Sequence, residues 1–204
     1  MPINPVQHPV LDVIENRWSP YRLNAQPVED EKILQCLEAA RWAASSFNDQ
    51  PWSWIVARRQ DSQLFDKSVS CLLEANQGWA QNAGVLLISV IRTTFRRNNK
   101  PNRVALHDLG QSAAHLSLQA TQLGLQVHQM AGLNLSATRQ AFQIPEGHQP
   151  ETAIAMGYPD LTAAEDPAGI ELQKREQGAR QRMSLGEQVF EGTWGTAARI
   201  VREA

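Results

Sequence analysis

Several things are scarce in this chain, and each scarcity removes a class of function. Only two of its 204 residues are cysteine, Cys36 and Cys71, and both fall in apolar, helix-patterned stretches. Such thiols read as buried and reduced rather than as a disulfide, and their spacing suits no metal site. His8, His107, His115 and His128 make no HExxH-like pair, so metal binding is not expected. No GxGxxG follows a strand and no GxxxxGKS/T occurs, which removes the Rossmann fingerprint and the phosphate loop. Net charge is also scarce: 19 Lys and Arg against 21 Asp and Glu leave -2, no global field for nucleic acid or a membrane. The most apolar run, "GVLLISVI" at 84–91, is too short to span a bilayer. The start, "MPINPVQHPVLDVIENR", has no basic n-region and no long apolar core, so it reads as no signal peptide. A soluble cytoplasmic protein is expected, without internal repeats or low-complexity tracts.

What is present is ordinary globular composition, 42% hydrophobic and 20% charged,. A chain of this length hides roughly 70% of its unfolded surface and suits one domain, with room for two small ones. "PVLDVIENRW" predicts a first helix with Pro9 near its start. A second carries Glu29, Asp30 and Glu31 in its first turn, with Ile33, Leu37, Ala40 and Ala44 at helical spacing. Residues 53–58 and 84–91 read as strands. Between them Asp61 caps a third helix bearing Leu64, Phe65, Leu72 and Ala75. The clearest helix spans Leu106 to Leu123, with Leu106, Leu109, Ala113, Leu116, Ala120 and Leu123 as one stripe and Gly124 as its stop. A strand at 125–130, a short helix capped by Ser136 and a strand "TAIAMGY" follow. Residues 159–169 read as a linker, then come a polar helix and a tail. Irregular alternation without a repeated βαβ unit predicts an α+β fold, one sheet wrapped by helices.

Chemistry concentrates in a few places. Arg17 and Ser19 flank Trp18 where a helix ends. "RWAASSFNDQPWSWIV" sets Ser45, Ser46, Asn48 and Gln50 immediately before heavy aromatics. "HQMAGLN" ends a strand in small residues whose N–H groups could be free, and Arg180 and Arg182 alternate in the tail. Taken singly, each has an ordinary reading as a solvated charge, a helix end or a turn. Together they could enclose a flat, anionic, hydrogen-bond-rich ligand such as a flavin phosphate. His107 and Asp108 point about 100° apart on a helix and read as a solvated or core-edge pair, not an acid–base couple.

The motifs "RWSPY", "EAARWAASSFNDQPWSW", "ANQGWAQNAGVLL", "DLGQSAAHLSLQATQLGLQVHQMAGLN" and "RQRMSLGEQVFEGTWG", in this order across nearly the whole chain, resemble those of the FMN-dependent nitroreductase family. That resemblance implies a central, mainly antiparallel sheet, an intertwined homodimer with two FMN at its interface, and NAD(P)H as the reducing co-substrate. It implies a single domain over 1–204 whose tail, from about 179, extends over the partner or cofactor. It assigns Arg17, Trp18 and Ser19 to the phosphate or ring edge together with Arg180 and Arg182. Ser45, Ser46 and Asn48 would come from the opposite subunit, Ala44 would also be cofactor-binding, Asn76 would meet the polar ring edge, and Met130, Ala131 and Gly132 would lie along the ring. The implied reaction is ping-pong hydride transfer to an electron-poor small molecule such as a nitroaromatic or quinone, with no catalytic side chain named. A flavin carrier without turnover, or a family member with other redox chemistry, is the alternative. The chain departs from the family at Tyr21, where Arg22 could substitute for a basic residue, and at Ala44, Gly84, Leu133 and Asn134; the last two could reshape the pocket over the flavin. The loop "RTTFRRNNKPNR" is either a solvated surface or a basic rim for the phosphates of NADPH.

Overall fold

Four β-branched and aromatic runs pair into one sheet. They are β1 (Trp52–Arg58), β2 (Val85–Arg92), β3 (Gln126–Met130) and β4 (His148–Gly157), in the order β1-β2-β4-β3 with every pair antiparallel. The structure, a computed structural model, describes residues 4–202. Central β2 is buried along almost all its length, which explains why an antiparallel strand reads as a continuous apolar run: both of its faces are covered. Leu86 and Ile88 enter one core with Trp79, Ala153 and Ala155, while Val85 and Leu87 enter another with Ile154 and Met156. The α+β expectation of one helix-wrapped sheet holds.

The helices are α1 (Asp12–Asn16), α2 (Asp30–Arg41), α3 (Ser62–Ser70), α4 (Glu74–Ala80), α5 (Ala105–Gln122), α6 (Leu135–Ala141), α7 (Pro167–Gln177) and α8 (Arg199–Arg202). Short 3-10 turns occupy Ser46–Asn48 and Leu185–Glu187. α2 and α5 cover the second core with Ile33, Cys36, Ala40, Ala113, Leu116 and Ala120. Cys36 and Cys71 are free and buried, as expected.

Several local expectations fail for identifiable reasons. The third helix is two helices, because Leu72 leaves the helical path to bridge Leu133 in the strand-to-helix link. Ser136 does not cap α6; the Asn134 carboxamide accepts the Ala137 N–H instead. Asn134 thereby serves the fold, as does buried Leu133. Ala44 lies beyond the end of α2 and is exposed. Leu106 is 57% exposed, since the buried stripe of α5 runs through Ala105, Asp108 and Leu109. Glycine rather than proline at Gly84 has a structural cause. Its N–H donates to the Met156 carbonyl, and a Cβ would come within 2.5 Å of the Gln26 carbonyl oxygen.

Candidate functional site

The segment after α1 is fastened beside β3. The Trp18 N–H donates to the Gln126 carboxamide at 3.1 Å, and the His128 ring nitrogen lies 2.9 Å from the Pro20 carbonyl. Arg17 is thereby held half-buried at the edge of the sheet. The tail returns to the same point: Arg180 donates to the Arg17 carbonyl at 3.1 Å and to the Asn4 side-chain oxygen at 2.5 Å. Arg17, Arg180 and Arg182 then line a cavity of about 680 Å³ with an apolar wall of Val6, Val10 and Ile14. No Asp or Glu lines it, and none of the three arginines makes an ion pair among the described residues.

The like charges register on one another. Burial, and then the neighbouring Arg182, hold the Arg17 guanidinium below its usual range. Burial, then Arg17 and Arg182, do the same to Arg180. Three cations without a counter-charge are complementary to a polyanion such as a phosphate. The Ser19 hydroxyl accepts from Arg17 at 3.3 Å. Trp18 does not line the cavity; it is buried behind it, with the Arg180 guanidinium 5.8 Å from its ring. Arg22 does not replace the basic residue missing at Tyr21. It is buried and paired with Asp160 at 2.6 Å.

The turn after α2 is a second focus. Phe47, Asn48 and Gln50 all take positive φ, at 55°, 54° and 47°. Side-chain-bearing residues adopt this region at a cost that the surroundings must offset, a pattern common at ligand clamps. The surroundings do so here. The buried Asp108 carboxylate accepts the Ser46 N–H at 3.1 Å, and the Ser45 hydroxyl accepts the Gln50 N–H at 3.0 Å. Asp49 accepts the Arg96 N–H at 2.7 Å, and its carbonyl accepts Arg96 Nε at 3.1 Å. The Arg97 guanidinium lies 3.7 Å from the Phe47 ring centroid. The basic segment is thus a hairpin clamped on this turn, closed by a bridge between Thr94 and Pro101. Ser45, Ser46 and Asn48 do not line the arginine cavity of their own chain.

The third focus is the end of β3. Asn76 of α4 donates to the Gly132 carbonyl at 3.3 Å, so these two expected site residues meet. A Cβ on Gly132 would lie 2.2 Å from the Asn76 amide nitrogen, so a larger residue here would have to turn the Asn76 side chain aside. Met130 is buried and Ala131 exposed. The N–H groups of Ala131 and Gly132 donate to no other protein atom among the described residues. They are free backbone donors at a strand end.

One chain therefore brings Arg17, Ser19, Arg180 and Arg182 together, and separately Asn76 with Met130, Ala131 and Gly132. Sequence reasoning missed Asp108, Asp49 with Arg96, and Asn4, all of which shape these groups. Only Asp108 left a signal, a carboxylate in register with the buried stripe of α5.

The fold and its parts define a class: an antiparallel α+β protein with an arginine-lined cavity free of carboxylates and free backbone donors at a strand end. A profile of the Nitroreductase family matches residues 14–158, and the chain belongs to that family. It is similar to a crystal structure of "the oxidoreductase containing FMN", at 32% identity and TM-score 0.84, over 94% of this chain and 96% of that one. The major NAD(P)H-flavin oxidoreductase of Aliivibrio fischeri is 23% identical over 191 residues, 74% of this chain and 88% of that protein. The FMN-dependent nitroreductase of Clostridium difficile R20291 shares the fold at TM-score 0.62 and 23% identity, over 79% of this chain and 95% of that one.

Proposed function

We propose that this protein is an FMN-dependent NAD(P)H oxidoreductase acting as a homodimer, a single domain whose tail completes the cofactor site. The carboxylate-free cavity lined by Arg17, Arg180 and Arg182 carries this reading. Its charge, size and apolar wall suit one terminal phosphate on a larger organic group. The guanidinium forks would pair with phosphate oxygens, with Ser19 orienting Arg17,. Asn76 would meet the polar edge of the ring system, and a free N–H of Ala131 or Gly132 would face it. A fixed backbone donor stabilises charge that develops on reduction without having to reorganise. The Ser46 hydroxyl and the Asn48 side-chain NH2, which donate to no other protein atom among the described residues while the Asn48 carboxamide oxygen accepts from Gln50 at 3.0 Å, would be supplied from the opposite subunit, consistent with their absence from their own chain's cavity.

Bound FMN would supply the redox chemistry, two electrons taken from NAD(P)H and passed to an acceptor such as a nitroaromatic or quinone. The protein's part is to bind, orient and tune, and no side-chain acid is required. Among the described residues no helix is long and apolar enough to cross a membrane. Steady-state NAD(P)H oxidation with varied acceptor tests the proposal. Parallel double-reciprocal lines are expected; no acceptor-dependent oxidation by protein reconstituted with FMN would overturn it.

A further inference from the structure

The two arginines that the tail brings to the cavity must be delivered by a segment with little hold of its own. α7, which precedes them, has no buried residue. Its attachments to the body are few: Leu172 rests against the first core and the Arg175 guanidinium lies 6.0 Å from the Tyr21 ring, while the Gln173 carboxamide accepts the Ala164 N–H of the preceding linker at 3.1 Å. The strongest is Glu176. Its carboxylate accepts the Arg22 N–H at 2.5 Å. Arg22 is fixed in turn: its guanidinium pairs with Asp160 at 2.6 Å, and its carbonyl accepts the Asp160 N–H at 3.0 Å. Four residues beyond Glu176, Arg180 donates to the carbonyl of Arg17, five residues before Arg22. The two contacts are rungs of one antiparallel strap, with Glu176 on Arg22 and Arg180 on Arg17. Between them the chain leaves the helix at Gly178, which makes no capping bond.

We infer that Glu176 is a positioning residue for the cofactor site: by pinning the end of α7 to the backbone of Arg22, it sets the register in which Arg180 and Arg182 meet Arg17. The inference rests on the FMN reading above and adds to it a residue that touches no part of the cofactor. The carboxylate is half-buried, and burial pushes its pKa above the usual range against the pull of the Arg22 N–H. Without the pivot, two residues of chain would connect Arg180 to a helix end held only by Leu172 and weaker contacts. The arginines would then reach the anion at a lower effective concentration.

The test uses apoprotein titrated with FMN and with riboflavin, which keeps the ring and lacks the phosphate. Glu176→Ala is expected to weaken FMN about ten- to a hundredfold, the range spanned by one lost charged hydrogen bond. Riboflavin affinity is expected to stay put, because the strap acts only through the phosphate. Glu176→Gln keeps an oxygen that accepts the Arg22 N–H, and is expected to restore FMN affinity to within about threefold of the parent, since the hydrogen bond outweighs the charge here. Should Glu176→Ala not fold, Glu176→Asp, whose oxygen falls one methylene short, is expected to show the same selective loss for FMN. Unchanged FMN affinity in Glu176→Ala, or equal losses for FMN and riboflavin, would overturn the strap and leave the flavin reading standing. Parent protein that takes up no FMN would overturn both.

Discussion

Arg180 and Arg182 are the residues whose roles are most exposed to test. Each guanidinium that pairs with a phosphate oxygen contributes on the order of 1.5–3 kcal/mol. Replacing both with alanine is therefore expected to weaken FMN by about 10²- to 10⁴-fold, measured by titration of apoprotein. Turnover at saturating FMN is expected to change far less, since the phosphate end does no chemistry. Wild-type affinity in the double mutant would mean that the tail does not hold the cofactor. Cys36 offers a separate check on burial. Burial pushes its thiol from the ordinary 9.0 up to about 12. A thiol that ionises later in the folded state contributes stability that is present below pH 9.0 and lost as pH rises toward 12. The thermal midpoint is expected to fall across that window, and Cys36→Ala to flatten the fall. An identical pH profile in that variant would place the titration elsewhere. Neither cysteine is expected to react with a thiol reagent until denaturant is added.

At the level of elements, strands and long helices were legible because their period is local, whereas breaks and caps depended on partners far along the chain. The interruption after α3 follows from Leu72 bridging Leu133, and nothing in residues 61–75 announces it. The burial of Asp108 follows from the Ser46 N–H it serves, 62 positions away. Arg17, Ser45, Asn76 and Gly132 came from the motif resemblance rather than from periodicity, and the paired dispositions of Asn76 with Gly132 and of Arg17 with Arg180 suit those roles. The orientation of α5 revises which substitutions report on a dimer. Ala113 and Leu116 lie in the chain's own core, so a charge there is expected to unfold the subunit, at several kcal/mol. The open face runs instead through Leu106, Gly110 and Ala114, four residues apart, and a Cβ on Gly110 would meet nothing within 4 Å. Trp42 and Phe47 are also uncovered, at 71% and 69%. Ala114→Glu is expected to leave the fold intact while loosening the dimer and FMN together. A folded monomeric variant with full FMN affinity would show that each subunit binds the cofactor alone.

For the whole molecule, a net charge of -2 hides a strongly basic hairpin, with Arg92, Arg96, Arg97, Lys100 and Arg103 within 12 positions. Arg96 is committed to Asp49, Arg97 to Phe47, and Arg92 to Asn99 at 2.8 Å. Among the described residues Lys100 and Arg103 make no ion pair, which would leave them available to an incoming phosphate on a hairpin fixed to the turn that carries Ser45, Ser46 and Asn48. Salt screens such attraction, with a Debye length of about 10 Å at 0.1 M. The second-order rate with NADPH is therefore expected to exceed that with NADH at low salt and to converge on it as salt rises. Equal rates throughout would return the hairpin to a structural clamp. All of this depends on one claim, that the arginine cavity holds a flavin which NAD(P)H reduces. The direct measurement is an anaerobic titration of the purified protein, reconstituted with FMN, in which the visible flavin absorbance is followed as NADPH is added. The account expects FMN to stay with the protein through gel filtration, to be bleached by NADPH, and to recover its colour when a quinone is added. Protein that elutes free of FMN, or bound FMN that keeps its colour in excess NADPH and NADH, would contradict it.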